Sequence, residues 1–300
     1  MILCPSCRSQ VSIDRGVSAC SHCGWSCPEK KGIYHLIHDS PQDEKFFPEH
    51  AFEILYNSEE QNFWFRVRNT IIGETIIHYL STDSRILEVG CGTGFVSRYL
   101  KSLGYHVECA DLFLDALIFC KNRNAGERYY QINLLEKVFV EEFDGICAFD
   151  VLEHIDDDVS VLKNIHAALK PNGILFVTVP ADKRLWSAMD VHAEHKRRYS
   201  APELQMKMEC NGFKVIKMSY FMTLLYPFIL LSRSISFRKG KMHDNYTQDQ
   251  INQEAQRELN PGLFLNGIFF CIFRMEVPMI RAFTLPFGSS LLCVAVKETL

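Results

Sequence analysis

The chain lacks a surplus of basic charge, an apolar run long enough to cross a bilayer, and the basic-then-apolar opening of a secretory signal. Its 300 residues carry 32 Lys plus Arg against 36 Asp plus Glu, a net charge of −4. A protein whose whole surface grips phosphates is basic, so nucleic acid is left only a local patch. The longest apolar segments, 221–231 and 263–273, fall well short of the roughly 20 residues that a spanning helix needs. The opening MILCPSC reads as no signal peptide, which predicts a cytoplasmic protein in a reducing compartment. Internal repeats and low-complexity stretches are also missing. At 47% hydrophobic and 23% charged residues, the composition excludes a disordered chain, a collagen-like fibre and a coiled coil.

What is present begins with cysteine. Four of the twelve cysteines stand in the first 23 residues, as Cys4-Pro5-Ser6-Cys7 and Cys20-Ser21-His22-Cys23. Each pair lets two thiolates reach one tetrahedral ion, and the intervening residues suffice for a short hairpin. Cys4, Cys7, Cys20 and Cys23 therefore read as a structural zinc site with no open coordination position, the alternative being ordinary buried cysteines. Cys27 and His22 are spare ligands. The remaining cysteines sit singly in apolar stretches and read as small core residues. A ribbon over residues 1–38 would draw most of its folding energy from the ion. The polar, proline-containing stretch 39–45 marks a boundary, and 39–83 reads as linker and N-terminal helices.

From residue 84 short apolar runs alternate with helical stretches. Strands are predicted at 85–89, 105–110, 128–132, 143–149 and 174–179, with a turn at Pro171-Asn172-Gly173 and a helix over 157–169. Such alternation implies a doubly wound parallel sheet with its ligand at the carboxyl ends of the strands. Gly90-Cys91-Gly92-Thr93-Gly94 follows the first strand, where bare backbone approaches a ligand closely. Asp111 ends the second strand, 21 residues after Gly90. A carboxylate there accepts both hydroxyls of a ribose, each such bond contributing roughly 1.5–3 kcal/mol. With Glu88 two residues before the loop, the pattern reads as a nucleotide site, and its glycine spacing differs from that of dinucleotide binders.

The segment ILEVGCGTG resembles the first motif of class I S-adenosylmethionine (SAM)-dependent methyltransferases. The run Phe149-Asp150-Val151-Leu152-Glu153-His154-Ile155 is similar to the branch that includes quinone-biosynthesis O-methyltransferases. The resemblance implies an α/β fold: a doubly wound, mostly parallel seven-stranded sheet over 84–220, with an antiparallel last strand at 289–300. It further implies that Gly90, Cys91, Gly92 and Gly94 line the methionine and ribose of SAM. Glu88 would orient the amino group, Asp111 would hold the ribose, and Leu112 would lie against the adenine. Asn133 and Leu134 follow the third strand beside the adenine, and Phe149 and Asp150 close the site. Arg68, rather than Arg66, would reach the methionine carboxylate. The Phe63–Arg68 stretch reads equally as an amphipathic helix packing its aromatics on the core.

Methyl transfer from a sulfonium needs positioning above all, and a base only where the acceptor carries a proton. Candidate bases are Asp190, His192, Glu194 and His195 after the fifth strand, His195 and His192 foremost, with His154 similarly placed beside the cofactor. Each also reads as part of a solvated loop or a helix cap. Lys196-Arg197-Arg198 could bind an acceptor phosphate or form solvated surface. Residues 221–288 are expected to form a hydrophobic helical cap, serving as an acceptor pocket, a peripheral membrane contact or a dimer interface. The favoured reading is methylation, on oxygen, of a small-molecule or lipid-linked acceptor. The arrangement is also similar to zinc-ribbon methyltransferases of ribosomal RNA, and a non-catalytic SAM-binding partner is the third reading.

Overall fold

A computed structural model describes residues 1–11, 19–37, 49–238 and 260–298. Residues 12–18 of the expected ribbon, the expected linker at 39–45 and residues 239–259 of the expected cap lie outside the described residues. At the N-terminus β1 (Ile2–Leu3) pairs antiparallel with β2 (Gln10–Val11), and β3 (Glu29–Lys30) pairs antiparallel with β4 (Ile33–His35). Two helices follow, α1 (Glu49–Ser58) and α2 (Phe63–Tyr79). The start of α2 is capped by Asn62, whose side chain accepts from the Trp64 N–H at 2.8 Å.

The alternating part runs β5 (Arg85–Val89), α3 (Phe95–Ser102), β6 (His106–Asp111), α4 (Leu114–Asn122), β7 (Arg128–Gln131), β8 (Phe143–Phe149), α5 (Asp158–Ala168) and β9 (Leu169–Pro180). Then come α6 (Ala188–His192), α7 (Ala201–Cys210), β10 (Phe213–Phe221) and α8 (Tyr226–Arg238). Helices Leu263–Arg274 and Glu276–Ala282 precede the final strand, β11 (Ser290–Lys297). Strands β5 to β8 are buried almost throughout, as both faces of a doubly wound sheet require. The seven expected strands lie in the order β10-β11-β9-β8-β5-β6-β7, with β11 antiparallel to both neighbours.

The sheet has nine strands rather than seven, because β4 pairs parallel with β7 and β3 continues beyond it. The ribbon segment is welded on elsewhere too. Leu3 N–H donates to the Val138 carbonyl and Val140 N–H to the Met1 carbonyl, at 2.8 and 2.9 Å. Ile2, Cys4, Val11, Cys20 and Cys27 pack in one buried cluster with Tyr130, Phe139 and Phe143.

Two local expectations are corrected. The Pro171–Gly173 turn lies inside β9: Phe143 faces Leu169 and Gly145 faces Ile174, so the residues between bulge out of the ladder. The second apolar segment does not stop at Phe273. The stretch Leu263–Ala282 is, by length and composition, apolar enough to cross a membrane. Arg274 and Glu276 break the apolar run in the sequence, yet Glu276 is fully buried and accepts from the Leu224 N–H at 2.7 Å. These two helices lie along α2 through Phe63, Val67 and Ile71, with Phe273 and Ile280 facing them.

Candidate active site

The loop between β5 and α3 turns through Gly90, Gly92 and Gly94, whose φ values are +63°, +52° and +77°. A Cβ at Gly92 would meet no atom within 4 Å, so this backbone faces open space. A Cβ at Gly94 would stand 2.6 Å from the Cys120 sulfur and 2.7 Å from the Ala125 methyl. One glycine thus bares the cleft and the other lets α3 close on α4. Asp111, buried at the end of β6, accepts from the Gly92 N–H at 2.8 Å and the Phe113 N–H at 2.9 Å. Burial nevertheless pushes its carboxyl up to about 6. Glu88 lies deeper and accepts from the Ser97 hydroxyl, and burial pushes it up to about 8.

The other expected cofactor residues surround this loop. Cys91 lies 3.8 Å from Cys120, sulfur to sulfur. The Leu112 carbonyl accepts from Gln131 at 3.0 Å. Asn133 spends its side-chain oxygen on the Leu135 N–H at 3.0 Å, and the Leu134 carbonyl accepts from Asn164 at 2.9 Å. Arg68 is buried, ion-paired with Asp150, and lies 5.0 Å over the Trp64 ring and 5.7 Å over Phe149. Arg66 points the other way, 4.4 Å over Phe270.

A cavity of about 380 Å³ opens beside Asp150, walled by Leu55, Phe63, Trp64, Met189, Met222 and Ile229. All three expected histidines line it, together with Glu153 and Arg233. His195 Nδ1 is 2.9 Å from Asp190 Oδ1, and its Nε2 is 3.9 Å from Glu153 Oε1. Asp190 is fully buried, takes two bonds from Arg198 at 2.8 and 2.9 Å, and accepts from the Ser187 N–H. Burial alone would raise its carboxyl, but bonds from His195 and Arg198 outweigh this and hold it at about 2. The His154 ring stands 4.8 Å from that of His195, and burial, then the neighbouring His195, pulls it down to about 4. Glu153 is fully buried, neither oxygen has a hydrogen-bond partner, and burial pushes its carboxyl well up.

Sequence reasoning listed Asp190 as one base among several. The structure makes it the residue that orients His195, a relation hidden in a five-residue separation across a turn. Arg198 and Arg197 are not free to bind an acceptor phosphate: Arg198 is spent on Asp190, and Arg197 pairs with Asp158 at 3.0 Å. Also unforeseen is the buried bridge from Glu59 to Arg123. It ties α1 to Thr93 of the glycine loop through a 2.6 Å hydroxyl bond. At the N-terminus the sulfurs of Cys4, Cys7, Cys20 and Cys23 all lie within 4.8 Å of one another.

The methyltransferase domain family matches residues 56–218, over half of the chain. A ubiquinone biosynthesis O-methyltransferase of Histophilus somni is 30% identical over 125 residues, 38% of this chain and 52% of the relative. One from Xylella fastidiosa is 33% identical over 103 residues, 32% of this chain and 42% of the relative. The chain spans about half the length of the curated relatives it matches. A Haemonchus contortus phosphoethanolamine N-methyltransferase 2, in complex with S-adenosyl-L-methionine, is similar in fold with a TM-score of 0.55 at 18% identity, covering 86% of this chain and 59% of that one. So is a Haloferax volcanii complex between the Trm112 methyltransferase activator and a methyltransferase, with a TM-score of 0.53 at 14% identity over 83% of this chain and 98% of that one. Sheet order, glycine loop, paired acids and family match agree, and the chain belongs to the class I SAM-dependent methyltransferases.

Proposed function

We propose that the protein transfers a methyl group from SAM to a hydroxyl oxygen of a small or lipid-linked acceptor. The observation that carries this reading is His195. It faces an apolar cavity beside the cofactor cleft and is held from behind by a buried carboxylate. Bound in the cleft, the cofactor supplies an electrophilic methyl group. The bare backbone at Gly92 and the buried acids Glu88 and Asp111 fit its ribose and its amino group. Asp190 fixes the His195 ring with Nδ1 protonated, leaving Nε2 to take the acceptor's hydroxyl proton. The apolar wall excludes water and suits a greasy acceptor.

The four N-terminal sulfurs support a structural zinc ion. The Cys4–Cys23 and Cys7–Cys20 separations are 3.6 and 3.5 Å. A tetrahedral ion with sulfur at about 2.3 Å needs about 3.8 Å between ligands. Its role is to hold β1 and β2 on the edge of the core. Against an RNA acceptor stand the net charge of −4 and the engagement of Arg8, which donates to the Lys137 carbonyl at 2.9 Å and lies 3.8 Å from Glu136.

The test is incubation with methyl-labelled SAM and a whole-cell extract, followed by separation of RNA, protein, lipid and small molecules. Label in lipid or small molecules is expected. Label in RNA or protein alone overturns the acceptor reading, and absence of label from every fraction overturns turnover itself.

A further inference from the structure

The cavity and the unusual apolar surface of this chain lie on the same elements. Helix α8 sends Ile229 and Arg233 into the cavity wall, while Phe228 and Leu231 stay 68% and 60% exposed. Across the opening, Asn62 and Phe63 line the cavity at the start of α2. That start is fixed to helix Leu263–Arg274 by Asn266, which accepts from the Phe63 N–H at 2.8 Å and donates to the Gln61 carbonyl at 2.9 Å. The first turn of that helix exposes Leu263 and Phe264 at 88% and 79%. Large apolar side chains therefore stand outside both sides of one opening, where scattered single exposures would need no explanation.

Charge distinguishes among occupants. Across 226–238 and 263–282 the charged residues are Arg233, Arg238, Arg274, Arg281 and Glu276. The single acid is fully buried, with its carboxylate turned onto the Leu224 N–H. Arg274 is exposed beside Phe270, and Arg281 keeps a solvent-facing side chain while it touches Glu74 at 3.6 Å. Arg233 faces the cavity, so the described cations on the outside are Arg274 and Arg281; large apolar residues beside them match the interfacial zone of an anionic bilayer, in which rings and aliphatic chains enter and arginines meet headgroup phosphates. Glu276, bonded inside the fold, keeps Leu263–Ala282 against α2 rather than free to cross.

We propose that the outer faces of α8 and helix Leu263–Arg274 dock on an anionic lipid bilayer and turn the cavity opening toward it. The proposal deepens the reading of a lipid-linked acceptor, which would then reach His195 without crossing water.

The full chain, without SAM, is floated with vesicles of phosphatidylcholine alone or mixed with phosphatidylglycerol. Binding to the mixed vesicles is expected, weaker binding to the neutral ones, and loss with added salt. The pairs Phe228→Ser with Leu231→Ser, and Leu263→Ser with Phe264→Ser, should each weaken binding by about tenfold or more. SAM affinity, measured separately by calorimetry, should stay unchanged. Phe264→Trp supplies a second readout, a blue shift of emission when mixed vesicles are added. No vesicle binding, equal binding by the serine variants, or a dimer that those variants dissolve would each overturn the docking proposal. Lost SAM binding in the unaltered protein would instead overturn the methyltransferase reading on which it rests.

Discussion

The sharpest consequence of the site concerns the proton on Glu88. In the free protein burial pushes this carboxyl up to about 8, so at neutral pH it is mostly protonated. An ammonium group arriving beside it favours the carboxylate, and the proton must leave. If the bound carboxyl titrates in the ordinary range near 4.5, the cost of removing that proton grows by about 1.4 kcal/mol for each pH unit below 8. SAM affinity should then rise about fiftyfold, roughly 2.3 kcal/mol, from about pH 6 to about pH 8, the slope flattening as pH nears 8. Above that the gain ends, since the α-amino group of the ligand itself titrates near 8. Asp111, pushed up to about 6, adds to the slope only at the acidic end. Titration calorimetry in two buffers of different ionisation enthalpy reads the effect directly: near pH 7, close to one proton should be released per SAM bound. Glu88→Gln should flatten the pH dependence, binding much like the unaltered protein near pH 6 and far more weakly near pH 8. A flat affinity with no proton release would refute the assignment of Glu88 to the cofactor's amino group.

Asp190→Asn, isosteric but uncharged, should lower kcat by roughly 10²–10⁴ with SAM affinity intact; an unchanged kcat would remove His195 from the base role. Elemental analysis should find one zinc per chain, and a strong chelator should lower the melting temperature of the whole protein, because the ribbon shares its core with β7 and β8; an unmoved melting curve would argue against a structural ion. Gly94→Ala should cost about 2–4 kcal/mol in chemical denaturation, from a left-handed backbone at φ +77° and from a methyl pressed on Cys120 and Ala125; a loss within the error of the measurement would mean that α3 and α4 shift apart freely.

The central sheet was legible because buried parallel strands write themselves as short apolar runs, and Gly90–Gly94 with Asp111 is a local pattern. The two extra strands were not, since β3 and β4 span two and three residues, too short for any alternation to register. The stretch 169–180 misled in the opposite way. Pro171-Asn172-Gly173 has turn chemistry, and Asn172 does take a left-handed φ of 61°, but the pairing resumes and the turn becomes a bulge. On the acceptor side, composition displayed His192, His195 and a basic run without showing which charges are spent. Only the fold reveals that Arg197 and Arg198 are committed to Asp158 and Asp190. The bridge between Glu59 and Arg123, 64 residues apart, leaves no local signal at all.

The pairing of β4 with β7 also bears on self-association. A core ending at β7 would offer the peptide groups of a buried strand to any neighbouring chain, the usual seed of strand-to-strand aggregation. Here Tyr34 and His35 cover Tyr130 and Gln131, and the outermost strand becomes the two-residue, solvent-facing Glu29–Lys30. A brief, charged border replaces an adhesive one. Removing the first 37 residues would bare the peptide groups of β7, and the shortened chain should then associate with copies of itself through that edge.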